Sequence, residues 1–267
     1  MGNIIVSWSP VHGQSATTSN TVSLAAMMSL DQPYRSLLTH TQLSFSTMEA
    51  MFKKSGTDGL EDSGLKALER LVKSKLLTPQ AIPDYTETLY NTRLDFLPKG
   101  SELDTNTETD TIFLPIVRAA KNEYDFIWVD VHSGDNETSK RMMQESDFVI
   151  VNLPQNKFII ERFVSGVDIP DELKEKPHLL IVSNYDDQAS YSLRNIRRKQ
   201  KLKTPMFAIP YATAFQNAVN HETVMEFFFR TTKVQKGDPS YPFIQSLRDI
   251  NEAVMKQLGI TKTEDDW

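Results

Sequence analysis

The sequence predicts an α/β fold, a doubly wound, mostly parallel sheet with helices on both faces. Three observations predict it. Strand-like and helix-like segments alternate from residue 4 to residue 258. Several of the strand segments, such as Phe126-Ile127-Trp128-Val129 and Phe148-Val149-Ile150-Val151, are continuous apolar runs. Such runs mark strands buried on both faces. Finally, a loop of small residues, Ser9-Pro10-Val11-His12-Gly13-Gln14-Ser15-Ala16-Thr17-Thr18, joins the first strand to the first helix. No internal repeat or low-complexity segment interrupts the alternation, so residues 1–267 read as one domain.

Composition narrows the function classes. Apolar residues make up 39% of the chain, enough to bury a core, and charged residues 24%, as in soluble globular proteins. There are no cysteines, which excludes disulfides, thiolate metal sites and cysteine nucleophiles, and fits a cytoplasmic protein. The start of the chain lacks the pattern of a signal peptide. No apolar run approaches the roughly 18 residues of a membrane span. A formal net charge of −6 disfavours non-specific nucleic-acid binding as the main activity.

Taken in order, Ile4, Ile5, Val6 and Trp8 form the first strand, and Val22, Leu24, Ala25, Ala26, Met27 and Met28 mark the first helix. Residues 36–42 form a second strand with an apolar start and a polar end, Thr39-His40-Thr41-Gln42. Residues 53–63, rich in Gly, Asp and Ser, read as a loop. Leu65, Leu68, Leu71 and Val72 have helical spacing within residues 64–75. Thr78-Pro79 is a helix start, with threonine as N-cap and proline in the first helical position. Residues 94–98 form a short strand stopped by Pro98, followed by a polar, acidic mobile loop over 99–110. A helix over 112–122 precedes the strand 125–130, which ends at Asp130.

Residues 136–145 then read as a helix, 147–153 as a buried strand, and 155–164 as a helix. The next strand, 177–184, ends at Asn184. A basic helix covers 190–201, and Pro205-Met206-Phe207-Ala208-Ile209-Pro210 is the last core strand. Amphipathic helices over 217–229 and 241–258 finish the fold, ahead of a polar acidic tail over 261–267. Ligands in such sheets bind outside the carboxyl ends of the strands. The first loop, His40, Asp130 and Asn184 are all expected there.

The loop of residues 9–18 resembles the deviant Walker A motif, K-G-G-x-G-K-T-T, of the MinD/ParA family of P-loop ATPases (SIMIBI class). On that pattern Gly13 takes the second glycine, Gln14 the variable position, and Thr17 and Thr18 the threonine pair. Ser15 replaces the last glycine. Val11 stands where the signature lysine belongs, and Ala16 where the ordinary P-loop lysine belongs. Asp130 with Gly134 resembles the family's D-x-x-x-G after a strand, although the usual prolines between them are missing. Asn184 matches the asparagine that reads adenine, and Ile209-Pro210 the usual end of the last strand. The second strand lacks the family's aspartates. The degenerate loop looks most like the TadZ/CpaE branch, which organises Tad-type pilus assembly, although the receiver-like domain common in that branch is absent.

The resemblance implies ATP or ADP with Mg, bound weakly at residues Gly13, Gln14, Ser15, Ala16, Thr17, Thr18 and Asn184. It places Mg at Thr17 and Asp130. Hydrolysis is expected to be weak or absent, because the two lysines and the strand-two carboxylates supply the electrostatics of phosphoryl transfer. It also implies a homodimer, pilus or secretion assembly partners, and recruitment by a partner to the cell pole or inner membrane.

Other readings stand beside these. The loop reads equally as a vestigial turn, and His12 or Gln14 as a partial substitute for lysine. Asp130 and Asn184 also read as turn-capping residues. His40 and His132 form no convincing metal pair, because no carboxylate cluster accompanies them. The basic run Arg194, Arg197, Arg198, Lys199, Lys201 and Lys203 is either a solvated helix face or a patch for an acidic partner, anionic lipid or DNA. The DNA case gives the alternative function, a ParA-type partition ATPase. The acidic tail does not resemble a membrane-gripping basic helix.

Overall fold

The computed structural model describes residues 1–42, 46–52, 64–99, 109–200 and 203–260. Among the described residues, eight strands form one sheet. They are β1 (Asn3–Trp8), β2 (Ser36–His40), β3 (Glu87–Tyr90), β4 (Leu94–Phe96), β5 (Phe126–Asp130), β6 (Phe148–Pro154), β7 (His178–Tyr185) and β8 (Met206–Pro210). Their order across the sheet is β3-β4-β2-β5-β1-β6-β7-β8, and every pairing except β3 with β4 is parallel. Strand β1 lies between β5 and β6, so the chain passes over it from one to the other. This brings the segments that follow β1 and β5 together at the carboxyl edge.

Eleven α-helices are described: α1 (Thr17–Asp31), α2 (Thr47–Phe52), α3 (Gly64–Lys73), α4 (Thr109–Ala120), α5 (Glu137–Glu145), α6 (Lys157–Val164), α7 (Asp171–Lys174), α8 (Leu193–Gln200), α9 (Thr213–Asn220), α10 (Val224–Thr231) and α11 (Tyr241–Gln257). The period-2 alternation of each strand divides its side chains between two apolar layers. Ile5, Leu38, Phe126, Trp128, Phe148, Ile150 and Ile181 pack with α1, α2, α9, α10 and α11. Ile4, Val6, Leu37, Ile127, Val129, Val149, Val151 and Val182 pack with helices α3 to α8. Helix α1 is buried continuously from Asn20 to Leu30. Its small residues Ser23, Ala25, Ala26 and Ser29 let it sit between the sheet and α11, where Asn251 Nδ2 donates to Leu24 O at 3.0 Å.

Two sequence expectations need correction, and two elements went unread. Residues 217–229 are not one helix: α9 and α10 are separated by a turn in which Glu222 has φ 58. The polar run Asn220-His221-Glu222-Thr223 has no apolar face to bury, so the chain turns there. The segment opened by Thr78-Pro79 is a 3-10 helix, Pro79–Tyr85, and Thr78 makes no side-chain cap. Pro83 inside it lacks the N–H that an α-helix would need. Strand β3 and the short helix α7 carry too little periodicity to be legible. Strand β3 exists because Asn91 and Thr92, at φ 34 and 61, turn the chain back onto β4. The expected loop over 53–63, most of the one over 99–110 and the tail over 261–267 lie outside the described residues. Among the described residues, no helix is long and apolar enough to cross a membrane.

Candidate functional site

The loop between β1 and α1 is held from beneath by two buried hydroxyls. Ser9 Oγ lies 2.8 Å from Ser15 Oγ and accepts from the Val11 N–H at 3.2 Å. Gly13 is exposed at φ 69, with no other atoms crowding its Cα. Ala16 takes a left-handed conformation, φ 45 and ψ 34, and α1 begins after it without a side-chain cap. Among the described residues, none of the N–H groups of residues 12–18 donates to a protein acceptor. They are uncommitted donors at the positive end of a 15-residue helix. Val11 and Ala16 place no charge beside them.

Asp130 closes the other side. Its register partners are Ser7 on β1 and His40 on β2. Thr18 Oγ1, not Thr17, reaches the carboxylate, donating to Asp130 Oδ2 at 2.6 Å. Burial pushes the Asp130 carboxyl up to about 6, against the opposing pull of the Thr18 hydrogen bond and of nearby His40. The segment after it folds back onto the loop. Val131 N–H donates to Ser7 O at 3.1 Å, Gly134 N–H to Ser9 O at 2.8 Å, and the Trp8 indole Nε1–H to Gly134 O at 3.1 Å.

Three of the five histidines gather here, as expected from their places in the first loop, at the end of β2 and just after Asp130. His12 lies over Gly134, its Nε2 3.0 Å from where a Cβ on that glycine would stand. His132 Nδ1 is 3.5 Å from Thr41 Oγ1. Burial and the neighbouring His12 and His40 hold the His132 imidazole below its usual value. His40 is buried, and among the described residues neither ring nitrogen makes a hydrogen bond. Its Nε2 comes within 3.4 Å of Glu49 Oε1, an electrostatic approach without hydrogen-bond geometry. Burial works against the Glu49 charge, but His40 and the Lys99 N–H outweigh it and hold that carboxyl below its ordinary value. Among the described residues, no group of three His, Asp or Glu side chains is placed to hold a metal ion.

Beneath the loop lies a buried polar network that sequence patterning missed. Asn20 Nδ2 donates to Asn152 Oδ1 and Ser183 Oγ, both at 2.8 Å. Asn152 Nδ2 donates to Ser7 Oγ at 2.9 Å. The network joins α1 to β1, β6 and β7. Its only sequence signal is the polar residue inside each apolar run. Farther along the same edge, the ends of β7 and β8 open a groove of about 830 Å³ lined by Tyr185, Asp186, Pro210, Tyr211 and Tyr241. Asn184 stands beside it, exposed at φ 49, where the β7–β8 pairing shifts register.

The loop, His40, Asp130 and Asn184 thus share one sheet edge, as expected. The basic run is less uniform than its sequence. Arg197 Nη2 donates to Met206 O, and Lys199 Nζ pairs with Glu161 Oε1 at 2.5 Å. Arg194, Arg198 and Lys203 are exposed, and Lys201 lies outside the described residues.

No protein-family model matches the chain, and no curated protein sequence does. Solved structures do. A ParA family ATPase from Chlorobium tepidum TLS superposes with a TM-score of 0.70 at 14% identity, over 94% of this chain and 98% of that one. The cell division ATPase MinD of Pyrococcus furiosus gives 0.69 at 15% identity, over 95% and 100%. The septum site-determining protein MinD of Pyrococcus horikoshii OT3, complexed with Mg-ADP, gives 0.68 at 14%, over 96% and 99%. Likeness at this identity speaks for the fold: the sheet and its flanking helices are those of the MinD/ParA P-loop ATPases.

Proposed function

We propose that this chain is a MinD/ParA-like nucleotide-binding protein that holds ADP or ATP weakly at residues 13–18 and hydrolyses it poorly or not at all. The observation that carries the reading is the row of uncommitted N–H groups over residues 12–18 at the start of α1, in a loop whose lysine positions are Val11 and Ala16. Backbone amides and a helix dipole suffice to hold phosphate. Transition-state charge needs fixed cations, and a single arginine-finger group is worth about 10³–10⁵ in rate. The tyrosine-lined groove beside Asn184 supports a base seat on the same edge. Similar folds are solved with Mg-ADP and, in a plasmid partition protein of Borrelia burgdorferi B31, with AMPPNP.

Among the described residues no group of three His, Asp or Glu forms a metal site by itself, so Thr17 and Asp130 would meet magnesium only together with the phosphates. Asp130 Oδ2 is engaged by the Thr18 hydroxyl. Magnesium would arrive on the phosphates and their waters. Steady-state ATP hydrolysis tests the proposal. Turnover at the background rate is expected, while robust turnover abolished by Asp130→Ala would overturn it.

In this reading residues 1–267 act as one domain, a localisation or assembly factor, for a Tad-type pilus or secretion machine, working as a homodimer through protein contacts. The fold itself supports partner binding, since a MinC:MinD complex from Aquifex aeolicus contains a similar chain. A polar focus of a fluorescent fusion, lost when the pilus genes are deleted, is the expected result. The DNA-associated reading keeps one supporting observation, the exposed Arg194, Arg198 and Lys203. Salt-dependent duplex binding lost in Arg194→Glu/Arg198→Glu would favour it.

A further inference from the structure

We infer that Trp8, Ser9 and His12 latch the Asp130–Gly134 segment onto the loop after β1, so that a bound nucleotide is held without its γ-phosphate being read. The second half of this inference rests on the nucleotide reading above; the latch itself does not. Four ties join residues 130–134 to residues 7–18. The Thr18 hydroxyl takes the Asp130 carboxylate at 2.6 Å. The Val131 N–H donates to Ser7 O at 3.1 Å. Gly134 is tied twice, its N–H to Ser9 O at 2.8 Å and its carbonyl to the Trp8 indole at 3.1 Å.

His12 closes over the remaining face of Gly134, where a Cβ would stand 3.0 Å from Nε2. The Trp8 ring does not swing away easily, because it is buried and tilted against Phe163 at 6.4 Å. Opening the segment therefore breaks both Gly134 hydrogen bonds and moves it out from under the exposed His12 imidazole. The donors of residues 12–18 remain uncommitted in the same structure. The parts that would hold a diphosphate are thus available. The Asp130 carboxylate and the Gly134 N–H, the polar groups that the segment turns toward the loop, are engaged within the protein, so neither is free for a third phosphate or its water. The ligand class that follows is a nucleoside diphosphate, with the triphosphate bound no better.

Hydrogen exchange at the Gly134 amide tests the latch on the full chain without ligand. Trp8→Phe keeps an aromatic ring in the core and removes the donor. It is expected to speed Gly134 exchange by about tenfold, and His12→Ala to act in the same direction. Exchange unchanged in both variants, with the fold intact by circular dichroism, overturns the latch. ADP and AMPPNP are then titrated against the unmodified chain. Affinities within about threefold and equal Gly134 protection are expected. AMPPNP bound more than about tenfold tighter, or faster Gly134 exchange with AMPPNP alone, overturns the γ-phosphate inference. If neither nucleotide binds, the nucleotide reading fails together with that inference, and the Trp8→Phe result still decides the latch.

Discussion

Thr18 and Asp130, 112 residues apart, meet through one short hydrogen bond of 2.6 Å. That contact joins the first turn of α1 to the last residue of β5. It also explains how a carboxylate remains inside an apolar sheet end, since a buried acid needs a donor. The consequences are measurable.

Asp130 makes stability pH-dependent. Its carboxyl lies near 6 in the folded chain, against an ordinary value of 3.8, chiefly through burial. Between these values the folded state holds a proton that the unfolded chain has released. Stability therefore falls as pH rises through this window and is lower above it by about 3 kcal/mol. Asp130→Asn keeps an acceptor for Thr18 and removes the charge. Its Tm is expected to exceed that of the parent at neutral pH and to match it near pH 4. An equal gain at both would exclude this cause.

A side chain at Gly134 is strained by the backbone and meets His12. At φ 76, with His12 Nε2 3.0 Å from the Cβ position, Gly134→Ala is expected to cost about 1–3 kcal/mol. In denaturant unfolding, His12→Ala should recover part of that loss. A double-mutant cycle with zero coupling would show that the two do not touch.

Asn20 satisfies two buried acceptors at once, Asn152 Oδ1 and Ser183 Oγ. Asn20→Ala leaves both without that donor inside the core and should cost about 2–4 kcal/mol. A change below about 0.5 kcal/mol would mean that water replaces the amide.

Ala16 already occupies the left-handed region, so a lysine there adds charge without new backbone strain. Ala16→Lys is expected to tighten fluorescent ADP or ATP binding by about ten- to a hundredfold. Unchanged affinity would count against residues 13–18 as the phosphate seat.

Much of the fold was legible because strand and helix periods are local properties. The runs that became β1, β5, β6 and β7 are apolar enough to be buried on both faces wherever they pack. The replacements at Val11 and Ala16, and a second strand whose polar end, Thr39 to Gln42, carries no carboxylate, were equally plain, being matters of residue type at a known spacing. The break between α9 and α10 and the hairpin of β3 were not, because each depends on a turn whose conformation only its neighbours enforce.

The site divides the same way. Sequence alone determined the layered α/β architecture, the small-residue loop before α1 and the absence of lysine from it. Only the tertiary structure decided that Asp130 is held by Thr18, that Trp8 and His12 close over Gly134, and that Asn20 ties α1 to three strands. Those contacts join residues more than a hundred positions apart. Nothing in a local pattern records which strands will be neighbours; the crossing of β1 between β5 and β6 does.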